Sequence, residues 1–273
     1  MSSDTNLNRL NEYYTDLGAL FQSVSENSGY YNLGWLPEGS LRSFRDGQRE
    51  LVRNVANGLR LNPGAQVLDI GAGRGAPARY IADRFQVRVV ALERLADQAE
   101  HGHHATDTQR VDWIRGDAAA LPFADDSFDG AVSIESAFHY PDRRAFLHET
   151  ARVLRHGGRL ALADIVIRQR YKRHIYHNAY RRALASPGLW TLQTYRDEFR
   201  IAGFRPQFAC DLTPGVVQSL HNAAPDILRL APALRKQGYS ALYLSTVWLG
   251  FLLLPQIRRR LPATYHLMVA EKR

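Results

Sequence analysis

The 273-residue chain has a single cysteine, Cys210, and only three lysines. One cysteine excludes an intrachain disulfide framework and a zinc site built from cysteines. The N-terminus, Met1 to Asn8, is polar and lacks the apolar core of a secretory signal, which favours a cytoplasmic protein. Hydrophobic residues make up 45% of the chain, enough for the core of one large domain.

Acidic residues are scarce in the second half of the chain. Residues 1–164 carry 18 Lys and Arg against 22 Asp and Glu, a net charge of −4, whereas residues 165–273 carry 17 against 5, a net charge of +12. Such an asymmetry indicates an anionic partner of the second half, which could be a phosphorylated small molecule, an acyl carrier protein, a membrane surface or RNA. A general preference for arginine over lysine, 32 to 3, explains why the basic residues are arginines but not why the positive charge lies in the second half of the chain.

Two common nucleotide-binding patterns are also missing. The apolar run from Val67 to Ile70 leads into glycines at positions 71, 73 and 75, and Ala76 to Phe85 reads as a helix. This pattern predicts a strand, a tight turn and a helix start at which a ligand can approach the backbone. The dinucleotide spacing is absent because position 76 is alanine, and no lysine followed by serine or threonine closes a P-loop.

Acidic side chains stand at the ends of the next predicted strands. Glu93 ends the second apolar run, and Asp117 follows the third. An acid in the first position can accept both hydroxyls of a ribose, and one in the second can accept the amino group of an adenine. Glu135 ends the fourth strand and Asp164 the fifth. A single acid at a strand end can equally be a solvated loop residue, so each role stays a hypothesis.

This ordered set resembles the class I S-adenosylmethionine-dependent methyltransferases, closely from Gln66 to about Ile167 and more loosely from Leu192 to Phe204. The resemblance implies an α/β fold with a doubly wound, mostly parallel seven-stranded sheet and a helical lid inserted after strand five. One domain over 1–273 is expected, with an N-terminal helical segment (1–60), a cofactor-binding core (61–167), a substrate lid (168–190 and 213–255) and completion of the sheet (191–212 and 256–273).

The implied cofactor is S-adenosylmethionine. Asp69 is expected to order the glycine loop or to hold the methionine amino group, because an unpaired carboxylate at the end of an apolar strand is costly. The residues expected to bind the cofactor are Asp69, Gly71, Gly73, Glu93, Asp117, Ala118 and Glu135.

Aromatic residues mark the expected substrate site. The segment from Gly29 to Leu36 is similar to one that folds over the cofactor in sterol, quinone and natural-product methyltransferases. The basic stretch from Arg168 to Arg182 is predicted to be a lid helix with an aromatic stripe. The candidate substrate contacts are Tyr30, Tyr31, Trp35, Phe138, Tyr140, Tyr171 and Tyr176. Each of these side chains could instead serve packing alone.

The predicted chemistry is methyl transfer to a hydrophobic small molecule, with oxygen slightly favoured over carbon as the acceptor. The segment around His139 looks like that of natural-product sugar O-methyltransferases, in which a histidine here and an aspartate ending the fifth strand deprotonate the hydroxyl. Those positions are His139 and Asp164 in this chain, and an imidazole suits a base near neutral pH. Phe138 departs from the pattern, because those enzymes often have a second histidine there. His139 could instead cap the next helix.

Three alternatives remain open. Carbon methylation of an alkene, a prenyl diphosphate or an aromatic acceptor would use aromatic faces and Glu135 to stabilise a carbocation. A nucleic-acid methyltransferase would suit the net charge of +8, but the Pro-Pro motif of the adenine-modifying enzymes is replaced by Glu135-Ser136-Ala137-Phe138, so no nucleic acid is expected. A non-catalytic cofactor-binding protein is the third. No metal is expected.

The apolar segment from Ala241 to Leu254 ends before Arg258, Arg259 and Arg260. It is shorter than the roughly 20 residues that span a bilayer, so a buried lid helix is expected. The alternative is a helix at a membrane surface with a basic anchor, which would make peripheral membrane contact.

Overall fold

The computed structural model describes residues 10, 11, 13, 14, 18–171, 178 and 181–273. Among them, the helices are α1 (Ala19–Val24), α2 (Phe44–Leu59), α3 (Ala76–Phe85), α4 (Ala96–His104), α5 (Arg143–Val153), α6 (Leu192–Ile201), α7 (Thr213–Lys236) and α8 (Ala241–Ile257). The strands are β1 (Gln66–Ile70), β2 (Arg88–Glu93), β3 (Val111–Arg115), β4 (Phe128–Ile134), β5 (Leu154–Ile167), β6 (Phe204–Asp211) and β7 (Ala263–Lys272). Most of the predicted lid helix between Arg168 and Arg182 lies outside the described residues.

The seven strands form one sheet in the order β3-β2-β1-β4-β5-β7-β6. The first five strands are parallel, and β7 runs antiparallel to both β5 and β6. The doubly wound, mostly parallel fold expected from the sequence is therefore confirmed. The chain order reverses between β1 and β4, and the carboxyl ends of these two strands open the crevice where such sheets bind ligands.

Two apolar layers cover the sheet. Helix α2 begins at the Ser43 cap, whose hydroxyl accepts the backbone N–H of Asp46 while the Asp46 carboxylate accepts the N–H of Ser43. It buries Leu51, Val52 and Val55 completely. The opposite layer is built on Phe146, Leu147, Tyr195 and Phe199 from α5 and α6. Because apolar layers cover both faces of the sheet, the carboxyl ends of its strands are held in fixed positions.

Strand β5 begins earlier than the sequence suggests. The glycines at positions 157 and 158 read as a turn, but Leu154 already pairs with Phe128 of β4. The register then shifts between Phe128 and Gly130, so that Gly130 pairs with Arg159. The positive φ of 76° at Gly157 absorbs the extra residues as a bulge inside the strand.

The apolar helix α8 is not the buried lid helix that the sequence predicts. Leu244 is its only buried residue, and the side chain of Leu242 is 79% exposed. The helix continues through a 3₁₀ turn at Arg258–Arg260. Among the described residues, Ala241–Arg260 is the one helix that is long and apolar enough to cross a membrane. An evenly apolar sequence does not specify which face points inward, so its burial could not be derived from composition.

The side chain of Trp113 packs against the glycine turn. A Cβ atom at Gly75 would lie 2.3 Å from Trp113 Cζ2, and one at Gly102 of α4 would lie 2.1 Å from Trp113 Cη2. The indole Nε1–H also donates to Thr106 Oγ1 at 3.0 Å. The large ring thus fills the space that two glycines leave.

Replacing Gly102 with alanine is expected to lower the free energy of unfolding by about 1–3 kcal/mol, because the added methyl overlaps the Trp113 ring. Gly250 in α8 is the matched helical control, since nothing lies within 4 Å of its added Cβ. Gly250→Ala is expected to raise the free energy of unfolding by about 0.5–1 kcal/mol, because glycine loses more backbone freedom than alanine on entering a helix. Urea unfolding of both variants measures the difference, and equal effects would contradict this packing.

Candidate functional site

The glycine loop requires its glycines for two separate reasons. Gly71, Gly73 and Gly75 have φ values of 79°, 56° and 73°, in the left-handed region that side chains disfavour. A Cβ atom on Gly71 would also lie 2.5 Å from Ser136 Cβ. The N–H groups of Gly71 and Ala72 both donate to the Leu92 carbonyl, at 2.9 and 3.1 Å. This arrangement ties the loop after β1 to the end of β2 and leaves the backbone approachable.

Glu93 holds the loop from the neighbouring strand. Its carboxylate accepts the backbone N–H groups of Gly73 at 2.8 Å, Arg94 at 2.8 Å and Leu95 at 2.9 Å. Burial raises the pKa of this carboxyl, and the three hydrogen bonds oppose that rise. One lone pair of the carboxylate remains for a ligand hydroxyl, since two oxygens offer about four acceptor positions.

Asp69 lies beside Glu93 but lacks its partners. The residue is 2% exposed, and its Oδ2 atom has no hydrogen-bond partner in the described part of the chain. Burial, and then the nearby charge of Glu93, raise the pKa of Asp69 to about 7. An unpartnered buried carboxyl is costly, so this atom marks a place that a cationic ligand group would complete.

The predicted cofactor residues line two pockets at the carboxyl edge of the sheet. One pocket is lined by Asp69, Gly73 and Glu135, with the aromatic rings of Tyr31 and Phe138. The second is lined by Leu92, Glu93, Asp117, Ala118, His139 and Tyr140. Asp117 Oδ1 accepts the N–H of Ala119 at 2.9 Å, and Oδ2 lies 3.6 Å from Arg94 Nη1.

Tyr14 lies between the two pockets, because its ring and Gly71 line both of them. The ring centroid is 5.1 Å from that of Tyr31 and 5.7 Å from that of His139. Tyr13 covers His139 from the same helical segment, with ring centroids 5.1 Å apart. Neither tyrosine is among the site residues predicted from the sequence. Their only signal was an adjacent aromatic pair in a predicted N-terminal helix.

His139 is held in an aromatic enclosure. It lies in the 3₁₀ turn Ala137–His139 after β4, is 4% exposed, and has the Phe138 ring 4.1 Å from its own ring centroid. No hydrogen bond of ordinary geometry reaches either ring nitrogen from the described residues. Burial lowers the pKa of His139 to about 3, and the nearby backbone groups of Ala185 and Leu184 oppose this fall. The imidazole is therefore neutral near pH 7 and retains an unshared electron pair.

Asp164 is not hydrogen-bonded to His139 in the described structure. Its carboxylate accepts the Tyr195 hydroxyl and, at 2.9 Å, the backbone N–H of Ile165. The residue is completely buried, and this burial raises the pKa of Asp164 to about 7, although the Tyr195 hydrogen bond opposes the rise. Asp164 does not end the fifth strand as the sequence predicts, because β5 continues to Ile167 and Asp164 pairs with His266 of β7. His139 lies in the turn after the neighbouring strand β4, and the catalytic pairing of the two residues stays a prediction.

Glu135 joins three parts of the chain at the pocket wall. Its Oε1 accepts the N–H of Leu33 at 2.7 Å and the hydroxyl of Tyr265 in β7 at 2.8 Å. Burial raises the pKa of Glu135 to about 8. Its backbone has a φ of 53°, a left-handed conformation that costs a non-glycine residue about 1–2 kcal/mol. Such strain at a pocket wall is typical of a functional position.

The predicted substrate aromatics divide into two groups. Tyr31, Phe138 and Tyr140 line the pockets, and the Tyr140 hydroxyl donates to the Ile70 carbonyl at 2.9 Å. The other described candidates lie away from both pockets: Tyr30 in the core beside α2, Trp35 against Gly215, and Tyr171 against Phe138, Ile167 and Leu189. Tyr176 lies outside the described residues.

Over the described ranges, no group of three or more His, Cys, Asp or Glu side chains is placed to hold a metal ion.

Comparison with known proteins gives the following relatives. Residues 68–162 match a family of methyltransferase domains. Methyltransferase GfsG of Streptomyces halstedii is 34% identical over 161 residues, which cover 58% of each chain. The (+)-O-methylkolavelool synthase of Herpetosiphon aurantiacus is 30% identical over 220 residues, 76% of this chain and 74% of that protein. This chain spans only 58–61% of the length of the first four curated relatives it matches.

Among solved structures, the [4+2]-cyclase SpnF superposes with a TM-score of 0.76 at 21% identity, over 96% of this chain and 95% of that one. At this identity the likeness is one of fold, and a fold can host different reactions.

Removing the Tyr14 ring is expected to return the pKa of His139 from about 3 toward its ordinary value of 6.5, because water then reaches the imidazole. The His139 ring resonance, assigned by its loss in His139→Gln, is followed by NMR. In the unaltered protein it should not shift down to about pH 5, whereas in Tyr14→Ala it should titrate above that pH. Tyr80→Ala, outside the pockets, is the control. An unchanged titration in Tyr14→Ala would contradict the role of the tyrosine cover.

Proposed function

We propose, because this chain belongs to the S-adenosylmethionine-dependent methyltransferases, that it transfers a methyl group from S-adenosylmethionine to a hydroxyl of a hydrophobic small molecule. The single observation that carries the choice of oxygen is the state of His139. A neutral imidazole, with neither nitrogen in a hydrogen bond of ordinary geometry, lies in the turn after β4 and lines a pocket with Gly71 of the glycine loop. A methyl acceptor hydroxyl needs a base in this position.

The pocket walls fit S-adenosylmethionine group by group. The unpartnered Oδ2 of Asp69 fits the ammonium of the methionine part, next to the approachable backbone of Gly71 and Gly73. Glu93 fits one ribose hydroxyl with its remaining lone pair, and Asp117 with Ala118 fits the adenine in the second pocket. Glu135 closes the methionine side, where Leu33 and Tyr265 hold it in place.

S-adenosylmethionine supplies an already activated methyl group on a sulfonium, so the protein has chiefly to orient the acceptor, exclude water and remove one proton. His139 accepts the hydroxyl proton as the new carbon–oxygen bond forms and the methyl carbon–sulfur bond breaks, with S-adenosylhomocysteine as the leaving group. Once the proton has moved, the imidazolium N–H donates to the acceptor oxygen, and this hydrogen bond to the charged ring opposes the lowering of the His139 pKa by burial. Asp164 is proposed to support this step from the neighbouring strand.

The proposed acceptor is hydrophobic because its pocket is built from rings. Tyr13, Tyr14 and Phe138 lie against the His139 ring, and with Tyr31 they line the adjoining pocket in front of Glu135. The name of the Herpetosiphon aurantiacus relative denotes an O-methylated product, which supports an oxygen acceptor here. We propose a cytoplasmic location, since the one cysteine leaves no intrachain disulfide that would need an oxidising compartment.

Carbon methylation is the second candidate, favoured by the side chains that surround Glu135. Its carboxyl group shares a pocket with Phe138 and the tyrosine rings. The rings, and the carboxyl group once it is ionised above its pKa of about 8, stabilise a carbocation. The mass spectrum of the product separates the two readings, since an O-methyl group is lost by ether cleavage and a C-methyl group is not.

Replacing His139 with alanine is expected to lower turnover by about 10²–10⁴-fold, the usual contribution of a general base, and to leave cofactor affinity within about twofold. Turnover is measured with methyl-labelled S-adenosylmethionine and an extract of the source organism, followed by partition into organic solvent. His148→Ala in α5 is the exposed control. Substantial turnover in His139→Ala would reject this base. Label in the acid-precipitable fraction would instead indicate a macromolecular substrate.

Cofactor binding is expected to tighten as the pH rises through about 7, because Asp69, with its pKa raised to about 7, must ionise to pair with the ammonium group. Asp69→Asn should weaken binding by about tenfold to a hundredfold and remove the pH dependence, since a charge-assisted hydrogen bond is lost. Calorimetric titration between about pH 6 and pH 8 measures both effects. Asp83→Asn, an exposed acid of α3, is the control.

The same substitution has a second readout without cofactor. The pKa of Asp69 is raised in the folded state above its ordinary value of 3.8, so its contribution to stability is complete below about pH 4 and is lost as the pH rises through about 7. Asp69→Asn should therefore reduce the loss of stability over that range. An unaltered pH profile in both experiments would show that Asp69 is not the acid described.

A further inference from the structure

The outer face of α8 is an exposed apolar row, which we call the outer row. It consists of Leu242, Leu249, Leu253 and Ile257, whose exposed fractions are 79%, 47%, 44% and 45%. The spacing of these residues places them on one side of the helix. The 17 residues of α8 contain no charged side chain, and the hydroxyl of Thr246 donates to the Leu242 carbonyl at 2.8 Å instead of to water.

The inner face of α8 is already occupied by the protein. Leu244, Val247, Trp248 and Phe251 pack on a cluster that includes Phe21 of α1 and Ile227 of α7. The chain then returns through Arg258–Arg260 into β7, which is hydrogen-bonded to β5 and β6 inside the sheet. The helix therefore cannot cross a bilayer without dismantling the sheet and the cluster. Whatever covers the outer row must lie against it from outside.

Cations stand at both ends of this row. Helix α7 ends at Arg235 and Lys236, and four residues separate it from the start of α8. Arg258–Arg260 follow the C-terminus of α8. The sequence between Asp226 and Glu271 contains no acidic residue. Arg258 pairs with Glu38, whereas no carboxylate of the described residues pairs with Arg259 or Arg260. The outer row, from Leu242 to Ile257, is thus a strip about 22 Å long with positive charge at each end.

We propose that α8 is a membrane-docking helix that lies in the surface of an anionic bilayer. The outer row enters the boundary between head groups and acyl chains, and the cations at the two ends contact lipid phosphates. An anionic bilayer has an apolar interior and a negatively charged surface. The apolar row matches its interior, and the basic residues at the two ends match its surface. A protein partner would need an equally long apolar groove with acidic ends, whereas an anionic membrane supplies both features.

The test is sedimentation of the full chain with vesicles of phosphatidylcholine alone or mixed with phosphatidylglycerol. The chain should bind the mixed vesicles and bind pure phosphatidylcholine at least about tenfold more weakly, and added salt should reduce the difference. Leu249→Glu combined with Leu253→Glu should reduce binding by at least about tenfold. Arg259→Gln with Arg260→Gln should cost about fivefold for each arginine removed.

The matched control is Ile201→Glu, which places a charge at a 66% exposed apolar residue of α6 and should leave vesicle binding unchanged. Circular dichroism confirms that each variant folds, since every substituted side chain is exposed. No binding to mixed vesicles overturns the proposal, as does equal binding to the two kinds of vesicle. A lipid-free dimer that the double glutamate variant splits, seen by sedimentation velocity, also overturns it, because a second copy would then cover the outer row. None of these outcomes depends on methyl transfer.

Discussion

Water is excluded from four carboxyl groups at one edge of the sheet, and the site depends on how each of them is compensated. Glu93 receives three backbone N–H groups, Asp164 receives a tyrosine hydroxyl, and Glu135 receives a tyrosine hydroxyl and an N–H. Asp69 keeps an oxygen without a partner. Because desolvation raises the pKa of every one of these groups, a positive ligand gains more here than it would at the surface.

The same exclusion of water explains why aromatic residues from the N-terminal segment take part in a site built by the sheet. Tyr13 and Tyr14 contact His139, and Leu33 donates to Glu135. These contacts connect the covering segment to the ends of β4 and, through Tyr265, to β7. The cover and the sheet therefore stabilise one another, and a change of charge at Glu135 acts on both.

The sheet and the glycine loop could be predicted from sequence because both follow from local rules. Short apolar runs ended by acids define β1, β2 and β4, and alternating glycines define the turn. The neighbours Tyr30 and Tyr31 show where such rules end: one lies in the core and the other in a pocket, although their local sequence is the same. Contact between Tyr13 and His139 joins residues distant in sequence, which no periodicity encodes. For α8, an apolar composition on every side left the exposed face undefined.

The position of Tyr14 between the two pockets has a thermodynamic consequence for any ligand long enough to fill both. If the ring has to move for such a ligand to fill both pockets, the apparent dissociation constant equals the intrinsic one divided by the fraction of molecules in which it has moved. A smaller side chain at this position would make the open form common and the binding tighter, while leaving apolar walls wetted in the empty protein. The ring would thus lower the affinity for a long ligand while it shields the pocket walls from water in the empty protein.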